Sequence, residues 1–436
     1  MKNAFSCRTG SRRSEGSRRL TRRTFGAASL AATLALGTSL PASAQEPVEI
    51  EYWQYFFDAR VTAMEQLIES FEEANPGITV TMTHFPYADY RTKVAAAIPA
   101  GEGPDVVQLF YGWLNDYIEA DLIQPLPEDT FSAADIEAEF FPMVQAMKRD
   151  GRYYALPTAV RSLALFYNER LLDEAGVEPP TTLDELIEVA KATTKKDGAG
   201  NITQVGITTG MTAQDHHWFR EGLVRQFGGT PYDEDGNVAY DSEAGLEALK
   251  FYTDLEKVHE VTASGFMDEP QAAFKAGRAA MHIDGSFRIG SLNDVRGLKW
   301  GVTELPATAD GVRSNYSSYW VNAITTKAEG PKYDAAVKFM EYLTSDEAMQ
   351  VWLDVVGELP AKPSVGMTEA NANDPIYGPF IRGLEYANTT EFADESGQRQ
   401  IMVDMVGRTD IEGQPLEEAL AEAAAAEQTL LDERRN

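Results

Sequence analysis

Aromatic residues follow the strand-like segments of this sequence in three places. Trp53 and Asp58 lie at the end of the first segment, Tyr87 follows the second, and Tyr111 and Trp113 follow a third. An aromatic face covers the C–H patches of a sugar, and charged or amide groups pair with its hydroxyls. These residue types indicate non-covalent recognition of a sugar-like solute. For each aromatic residue the alternative is packing in a core.

Signatures of covalent catalysis are missing from the sequence. Gly285-Ser286-Phe287 lacks the G-x-S-x-G spacing of a nucleophile elbow, and residues 101–103 are followed by Pro104 instead of the helix that a dinucleotide motif requires. With 68 acidic residues, accidental carboxylate pairs are certain, so such a pair says nothing about glycan hydrolysis. We expect a protein that is not an enzyme and uses no cofactor, and a periplasmic glycan hydrolase is the alternative.

A metal site is not expected either. His216 and His217 are adjacent and cannot easily converge on one ion, and the other three histidines are scattered along the chain. The single cysteine is Cys7, so a cysteine metal site is not available. Trp218, beside the histidine pair, is instead a further candidate for contact with the solute.

Composition and charge limit the classes of partner that the protein can bind. The chain has 436 residues, of which 43% are hydrophobic, and this is too apolar for intrinsic disorder and long enough for two domains. Lysine and arginine number 38 against 68 aspartates and glutamates, a formal charge of −30. A surface this negative repels phosphate backbones and anionic lipid, so we expect no nucleic-acid and no membrane-surface partner.

The N-terminus is typical of an export signal. Arginine pairs, including Arg22-Arg23 in a twin-arginine-like motif, precede an apolar run at 25–40 and an A-x-A pattern that ends at Ala44. An ordinary Sec signal is the alternative route. We expect residues 1–44 to be cleaved after Ala44 and the mature protein to reside in the periplasm without membrane insertion, since no apolar stretch beyond residue 45 approaches 18 residues.

The elements between these residues alternate between strand-like and helix-like patterns. Residues 48–53 and 78–83 alternate apolar and polar side chains, and a helical spacing at 61–71 lies between them. Thr182 and Glu185 form a capping box that opens a helix, and Ser345 is placed to cap another. This order predicts an α/β architecture with largely parallel sheets.

Several stretches resemble the extracellular solute-binding proteins of bacterial ABC importers, in the maltodextrin-binding-like branch (family 1) that binds sugars and oligosaccharides. Each stretch is weak alone, but their order and spacing behind an export signal make the resemblance strong. The stretches are residues 75–80 (Asn-Pro-Gly-Ile-Thr-Val), Tyr87 and Tyr90, 101–107, 122–126, 154–157, 164–168, 274–281, 285–287 and 357–361.

The resemblance implies a periplasmic binding protein fold, in which two hinge-linked α/β lobes enclose a ligand cleft. Lobe one would contain residues 45–160 and 282–322, and lobe two would contain 161–281 and 323–436. Hinges would lie near Arg161, His282 and Asn322. The implied function is capture of a sugar or sugar-like solute by a monomer, which delivers it to the membrane subunits of an ABC permease.

The resemblance also implies which residues of this sequence contact the ligand. Arg161 lies where maltodextrin-binding members have an acidic residue, which puts maltose-like ligands in doubt and allows a uronate, a phosphorylated polyol or a differently hydroxylated sugar. Asp284 and Phe287 match a loop whose last position is usually a stacking Trp. Tyr319 and Trp320 match a turn that closes on the ligand, and since strand neighbours point in opposite directions only one should reach the cleft.

Two further lobe-two candidates are Glu358 and Arg382. For Arg161 the alternative role is a salt bridge between the lobes. A non-sugar solute also stays open, because a polyamine would require carboxylates between aromatic walls, which Asp58, Asp284 and Glu358 can supply.

Overall fold

The computed structural model describes residues 47–390 and 392–435 of the chain. The expected export signal, its cleavage after Ala44 and Cys7 lie outside these residues. In the described part, strands and helices alternate along the chain, and the predicted α/β class is confirmed. No helix of these two ranges is both long and apolar enough to cross a membrane.

The longest strand of the described ranges has 14 residues and the longest helix has 20. The strands are β1 (Val48–Tyr55), β2 (Ile78–Phe85), β3 (Val106–Phe110), β4 (Lys148–Arg149), β5 (Arg152–Tyr153), β6 (Ala155–Asn168), β7 (Lys195–Lys196), β8 (Ile202–Ile207), β9 (Ala279–Gly285), β10 (Trp300–Thr303), β11 (Asn315–Ile324), β12 (Leu359–Pro360) and β13 (Ala387–Asn388). The helices are α1 (Asp58–Ala74), α2 (Tyr87–Ala97), α3 (Leu114–Glu119), α4 (Ala133–Glu139), α5 (Glu169–Ala175), α6 (Leu183–Thr193), α7 (Asp215–His217), α8 (Val224–Gln226), α9 (Glu243–Lys257), α10 (Pro270–Lys275), α11 (Ile289–Asn293), α12 (Pro331–Leu343), α13 (Asp346–Val356), α14 (Pro363–Gly366), α15 (Glu369–Ala372), α16 (Gly378–Gly383), α17 (Glu395–Asp410) and α18 (Leu416–Arg435).

Local sequence signals fix several of these bounds. The capping box at the start of α6 forms as predicted, with the Thr182 hydroxyl accepting from the Glu185 amide at 3.2 Å and the Glu185 carboxylate accepting from the Thr182 amide at 3.3 Å. The predicted cap of α13 also forms, because the Ser345 hydroxyl accepts from the Ala348 amide at 3.2 Å. The strand predictions at 48–53 and 78–83 are confirmed by β1 and β2.

The main sheet has the strand order β2-β1-β3-β11-β6-β9-β8-β7. β1 is parallel to β2 and β3, and β8 is parallel to β9. β11 is antiparallel to β3 and β6, and β6 is antiparallel to β9. The prediction of largely parallel sheets is therefore wrong. Periodicity reveals strands but not their direction, and the two long strands β6 and β11 are paired with their sheet neighbours in antiparallel fashion.

The buried apolar residues of the described chain form two clusters. One joins β1 and α1 to α12 and α13, with Ile50, Phe71, Phe339 and Trp352 among its members. The other includes residues of α6, β8, α9, α17 and α18. The lobe boundaries stay a prediction, although the helices at 331–356, which the sequence assigned to the second lobe, pack with the first cluster.

Candidate functional site

Three loops at one edge of the main sheet bring aromatic residues together. Tyr55 ends β1, Tyr87 begins the helix after β2, and Trp113 lies in the helical turn after β3. Because β1 is parallel to both β2 and β3, the carboxyl ends of these strands meet at the same edge. The loops after parallel strands are where open α/β sheets hold their ligands.

We call five residues at this edge the aromatic group: Tyr55, Tyr87, Phe110, Trp113 and Trp320. The Trp320 ring of β11 is the common neighbour, with its centroid 4.4 Å from Tyr55, 5.3 Å from Trp113 and 5.8 Å from Phe110. Tyr87 packs on Tyr55 at 5.4 Å and is 65% exposed, and Trp113 is half-buried. Tyr55 and Trp320 are thus the buried support of the group, and Phe110, Trp113 and Tyr87 are more accessible.

A buried ionic cluster lies beneath the aromatic group. β12 pairs with β6 so that Leu359 lies opposite Val160, which places Glu358 beside Arg161. Arg161 Nε donates to Glu358 Oε1 at 2.7 Å, and Arg60 Nη1 lies 2.6 Å from both Glu358 oxygens. Trp352 Nε1 donates to Glu358 Oε2 at 2.9 Å. Burial alone raises the pKa of Glu358, but Arg161 and Arg60 outweigh it and lower the pKa to about 2.

Arg161 connects the aromatic group to a second loop. Its Nη2 donates to the Tyr55 hydroxyl at 3.0 Å, and its Cζ lies 5.4 Å from the centroid of the Phe287 ring. The guanidinium of Arg288 lies at the same 5.4 Å distance from that ring. Phe287 is 39% exposed, so two cations lie close to one accessible ring at this loop.

Asp284 orients the loop that carries Phe287. Its buried carboxylate accepts from Arg288 Nε at 2.6 Å and from the Gly285 amide at 2.8 Å, and lies 3.1 Å from His282 Nε2. Burial acts to raise the pKa of Asp284, but His282 and Arg288 outweigh burial and the pKa is lowered. Asp284 is thus an ionised anchor for Arg288.

One more arginine borders the aromatic group. The Arg91 guanidinium lies 5.2 Å from the centroid of the Trp113 ring. Arg399 lies on α17, which packs on α7. Burial, followed by the charge of Glu395, raises the pKa of Tyr87, while Arg161 and Arg399 act to lower it.

The structure brings six of the sequence-predicted site residues together: Tyr87, Trp113, Arg161, Phe287, Trp320 and Glu358. Asp284 joins them through Arg288. Tyr111 and Tyr319 are buried directly behind the aromatic group, with their rings 4.8 Å apart, and the Tyr319 hydroxyl donates to the Met143 carbonyl at 2.8 Å. Trp320 and its neighbour Tyr319 thus make different contacts, as strand alternation predicts.

Four predicted residues are placed differently. Trp53 is buried, and its indole N–H donates to Glu51 Oε1 at 2.6 Å. Asp58 is exposed at the start of α1. Trp218 is 1% exposed and packs in the second apolar cluster with Tyr252. Arg382 donates to Glu304 and to the Ala372 carbonyl. None of these contacts joins them to the aromatic group.

Sequence reasoning missed Tyr55, Arg60, Arg91 and Phe110. A signal existed for Tyr55, because it lies two residues after Trp53 on the same face of a strand and at its carboxyl end. The arginines gave no local signal, since their positions depend on how α1 and α2 pack.

The paired histidines are buried. His217 stacks on Tyr316 with centroids 3.7 Å apart and an angle of 8° between the planes. Burial, followed by the nearby charge of Arg220, lowers the pKa of His216 well below its usual value, and burial, His216 and Arg220 do the same for His217. Among residues 47–390 and 392–435, no group of three or more His, Cys, Asp and Glu is placed to hold a metal ion.

This chain is similar to known solute-binding proteins. Residues 66–379 match the family described as bacterial extracellular solute-binding protein. A maltotriose-binding protein of Pyrococcus abyssi is 28% identical over 78% of this chain and 72% of its own length.

Solved structures share the fold. The GacH receptor of Streptomyces glaucescens, solved without ligand and with acarbose, superposes with a TM-score of 0.70 at 25% identity, over 89% of this chain and 99% of its own. The sugar-binding protein MalE of Xanthomonas citri superposes with a TM-score of 0.76 at 24% identity, over 89% of this chain and 98% of its own. The fold is that of the two-lobed solute-binding proteins.

Proposed function

Since the chain belongs to the bacterial extracellular solute-binding protein family, we propose that it is the periplasmic solute-binding component of an ABC importer and that its solute is a sugar or oligosaccharide. The observation that carries this proposal is the surface formed by Tyr87, Trp113 and Phe287 around Arg161. Accessible rings supported by buried rings offer stacking faces, and the guanidinium beside them offers hydrogen bonds for hydroxyls.

The proposed mechanism is closure of two lobes on the solute. In this proposal one lobe is built on the cluster that joins β1 to α12 and α13, so residues 331–356 move from the second lobe of the sequence prediction to the first, and the other lobe is built on the cluster around α6, α9 and α18. The strands β6, β9 and β11 contain the proposed hinge positions Arg161, His282 and Asn322. A hinged closure changes the outer surface of the molecule when solute is bound, and the membrane permease subunits then distinguish loaded from empty protein.

Export precedes this function. The proposal includes cleavage of a twin-arginine-type signal after Ala44 and release of a monomer into the periplasm. The excess of acidic residues in the chain favours solubility there. The protein performs no chemical step on the solute, in keeping with the binding role of the relative from Pyrococcus abyssi.

Thermal unfolding with a carbohydrate panel tests the proposal. The purified exported protein is heated with single mono-, di- and trisaccharides, and each sugar is analysed afterwards. At a ligand concentration 100 times the Kd, binding adds about 2.7 kcal/mol to the free energy of unfolding. We expect one sugar class to raise the Tm and to be recovered unchanged. Turnover of the sugar contradicts a carrier, and a shift with polyamines alone moves the solute to another class.

A further inference from the structure

The loop after β3, which carries Trp113, is in contact with the segment that precedes α17. The ring centroid of Phe392 in that segment lies 5.7 Å from Tyr111 and 5.9 Å from Phe110. A Cβ atom at Gly112 would lie only 2.7 Å from Phe392 Cδ2, so the ring packs directly on the backbone of the loop because this position is glycine. Phe392 is 5% exposed, and the loop and the segment are therefore closely packed.

This contact joins the two apolar clusters. Phe392 packs in the first cluster, whereas Met402 and Met405, on the helix α17 that it precedes, pack in the second. The Tyr111 hydroxyl donates to the Thr390 carbonyl at 3.1 Å, so the backbone of the segment is held as well. In the proposed function each cluster is the core of one lobe, and the contact therefore crosses from lobe to lobe.

An ion pair crosses between the same two parts of the molecule. Arg434 Nη2 of α18 donates to Asp116 Oδ1 of α3 at 2.8 Å, although the two residues lie 318 positions apart in the chain. Arg434 Nη1 donates to the carbonyl oxygens of Phe392 and Ala393, the second at 3.3 Å. Residues of α3 belong to the first cluster, and residues of α18 belong to the second. One guanidinium thus binds both sides of the contact.

Building on the proposed function, we infer that these residues form a latch between the lobes, which holds the solute-free protein closed and sets its affinity for the solute. The latch consists of Gly112 and Asp116 on one lobe and Phe392 and Arg434 on the other. Solute enters when the latch opens briefly. A protein that is closed in only a fraction of its molecules binds with an apparent Kd increased by the inverse of that fraction. Loss of the latch therefore weakens binding even where the altered residue does not touch the solute.

Distance measurements in the solute-free protein test the latch. Spin labels attached after Lys93→Cys on α2 and Glu418→Cys on α18, both exposed positions, report the separation of the lobes, and the single native cysteine, Cys7, lies in the expected export signal. We expect one distance in the labelled protein and a second, longer one when Arg434→Glu is added, because two carboxylates then face each other. Asp116→Arg combined with Arg434→Glu restores a pair of opposite charges and should return the single shorter distance.

Lys148→Gln is the matched control for these distances. Lys148 and Glu137 form a surface ion pair at 2.6 Å, and their chain neighbours Met147 and Ile136 both pack in the first cluster. This pair does not cross between the clusters, so its loss should leave the distance unchanged. Identical distances with and without Arg434→Glu overturn the inference, as does a solute-free protein with native Arg434 that already shows the longer distance. No solute is needed, so this result is independent of whether any carbohydrate binds.

Affinity is the second measurement. Calorimetric titration with a sugar that raises the Tm should give a Kd about two- to fivefold higher in Arg434→Gln, the effect of removing one exposed ion pair. Lys148→Gln should bind normally. An unchanged Kd in both Arg434→Gln and Arg434→Glu overturns the role of the latch in affinity. If no sugar raises the Tm, the proposed function fails, and the distances alone decide whether the latch exists.

Discussion

Arg161 and Glu358 form an ion pair across neighbouring strands, with Nε and Oε1 2.7 Å apart, although they lie 197 positions apart in the chain. Arg60 completes the pair from α1, so one carboxylate serves two guanidiniums. Of the three side chains only Arg161 has substantial exposure, and it faces the aromatic group. The cluster thus holds the partly exposed Arg161 guanidinium in place beside the aromatic group.

Replacing the shared carboxylate should destabilise the protein. In Glu358→Gln, Arg60 and Arg161 lose their ionic partner, and Arg60 is only 2% exposed. Leaving a buried charge unpaired costs about 3–5 kcal/mol. We expect a loss of that size in the free energy of unfolding measured in urea. Glu137→Gln is the matched control, since Glu137 pairs with Lys148 at the surface and should cost less than about 1 kcal/mol.

The same carboxylate predicts a loss of stability in acid. The pKa of Glu358 is lowered from 4.5 to about 2, so the native state binds this proton less readily than the unfolded state. Stability from this group is therefore complete above pH 4.5 and is lost as pH falls toward 2. Unfolding midpoints measured across this window should fall less steeply in Glu358→Gln. An unchanged slope in the variant contradicts a paired, ionised Glu358.

Truncation of the exposed rings should weaken solute binding without unfolding the protein. Trp113→Ala and Phe287→Ala each remove a partly exposed ring, and we expect binding to weaken by about 1–3 kcal/mol, the usual scale for a buried aromatic contact. Calorimetric titration with the solute found by thermal screening measures the effect. Tyr333→Ala, which removes a half-buried ring on α12, is the control and should bind normally. Normal binding by both test variants contradicts the assigned surface.

Local patterns in the sequence sufficed for much of the fold but not for the assembled site. Capping residues such as Thr182 and Ser345 act through hydrogen bonds to amides three residues away, so sequence alone places α6 and α13. Strand direction cannot be predicted from local residues in this way, because it depends on the path of the chain between strands. For that reason local patterns do not reveal that β6 and β11 are antiparallel to their neighbours.

The same difference applies to the site, where some residues could be predicted from local sequence and others could not. Trp113 was identifiable because it follows a strand, and Phe287 because its loop resembles a ligand loop of the family. Trp218 also had an aromatic type and a turn-like context, yet it packs at 1% exposure, since composition does not reveal which face of a helix is covered. Arg60 could not be selected at all, because it reaches Glu358 only through the packing of α1 on α13.

The buried pair His216 and His217 should make the free energy of unfolding depend on pH in a second range. His217 stacks on Tyr316, and burial together with His216, Arg220 and Arg399 keeps its pKa well below 6.5. The unfolded chain takes up this proton below about pH 6.5 and the native protein does not, so stability falls by about 1.4 kcal/mol per pH unit for each such histidine. His217→Phe preserves the stack and should remove one histidine's share of the slope between about pH 6.5 and about pH 5. A slope in His217→Phe equal to that of the unchanged protein contradicts a buried, neutral His217.

Solute binding should be visible in tryptophan fluorescence, and the signal should come from Trp113. Of the six tryptophans, Trp53, Trp218, Trp320 and Trp352 are buried, so their surroundings change little when a solute arrives. Trp113 and Trp300 are half-buried, but Trp300 lies on β10 against Phe166 and makes no contact with the aromatic group. A solute that covers Trp113 removes water from its indole and should shift the emission to shorter wavelength. Trp113→Phe keeps a stacking ring and should lose that shift while still binding, whereas Trp300→Phe should retain it. A shift that persists in Trp113→Phe and disappears in Trp300→Phe would place the solute on the β10 side of the sheet instead.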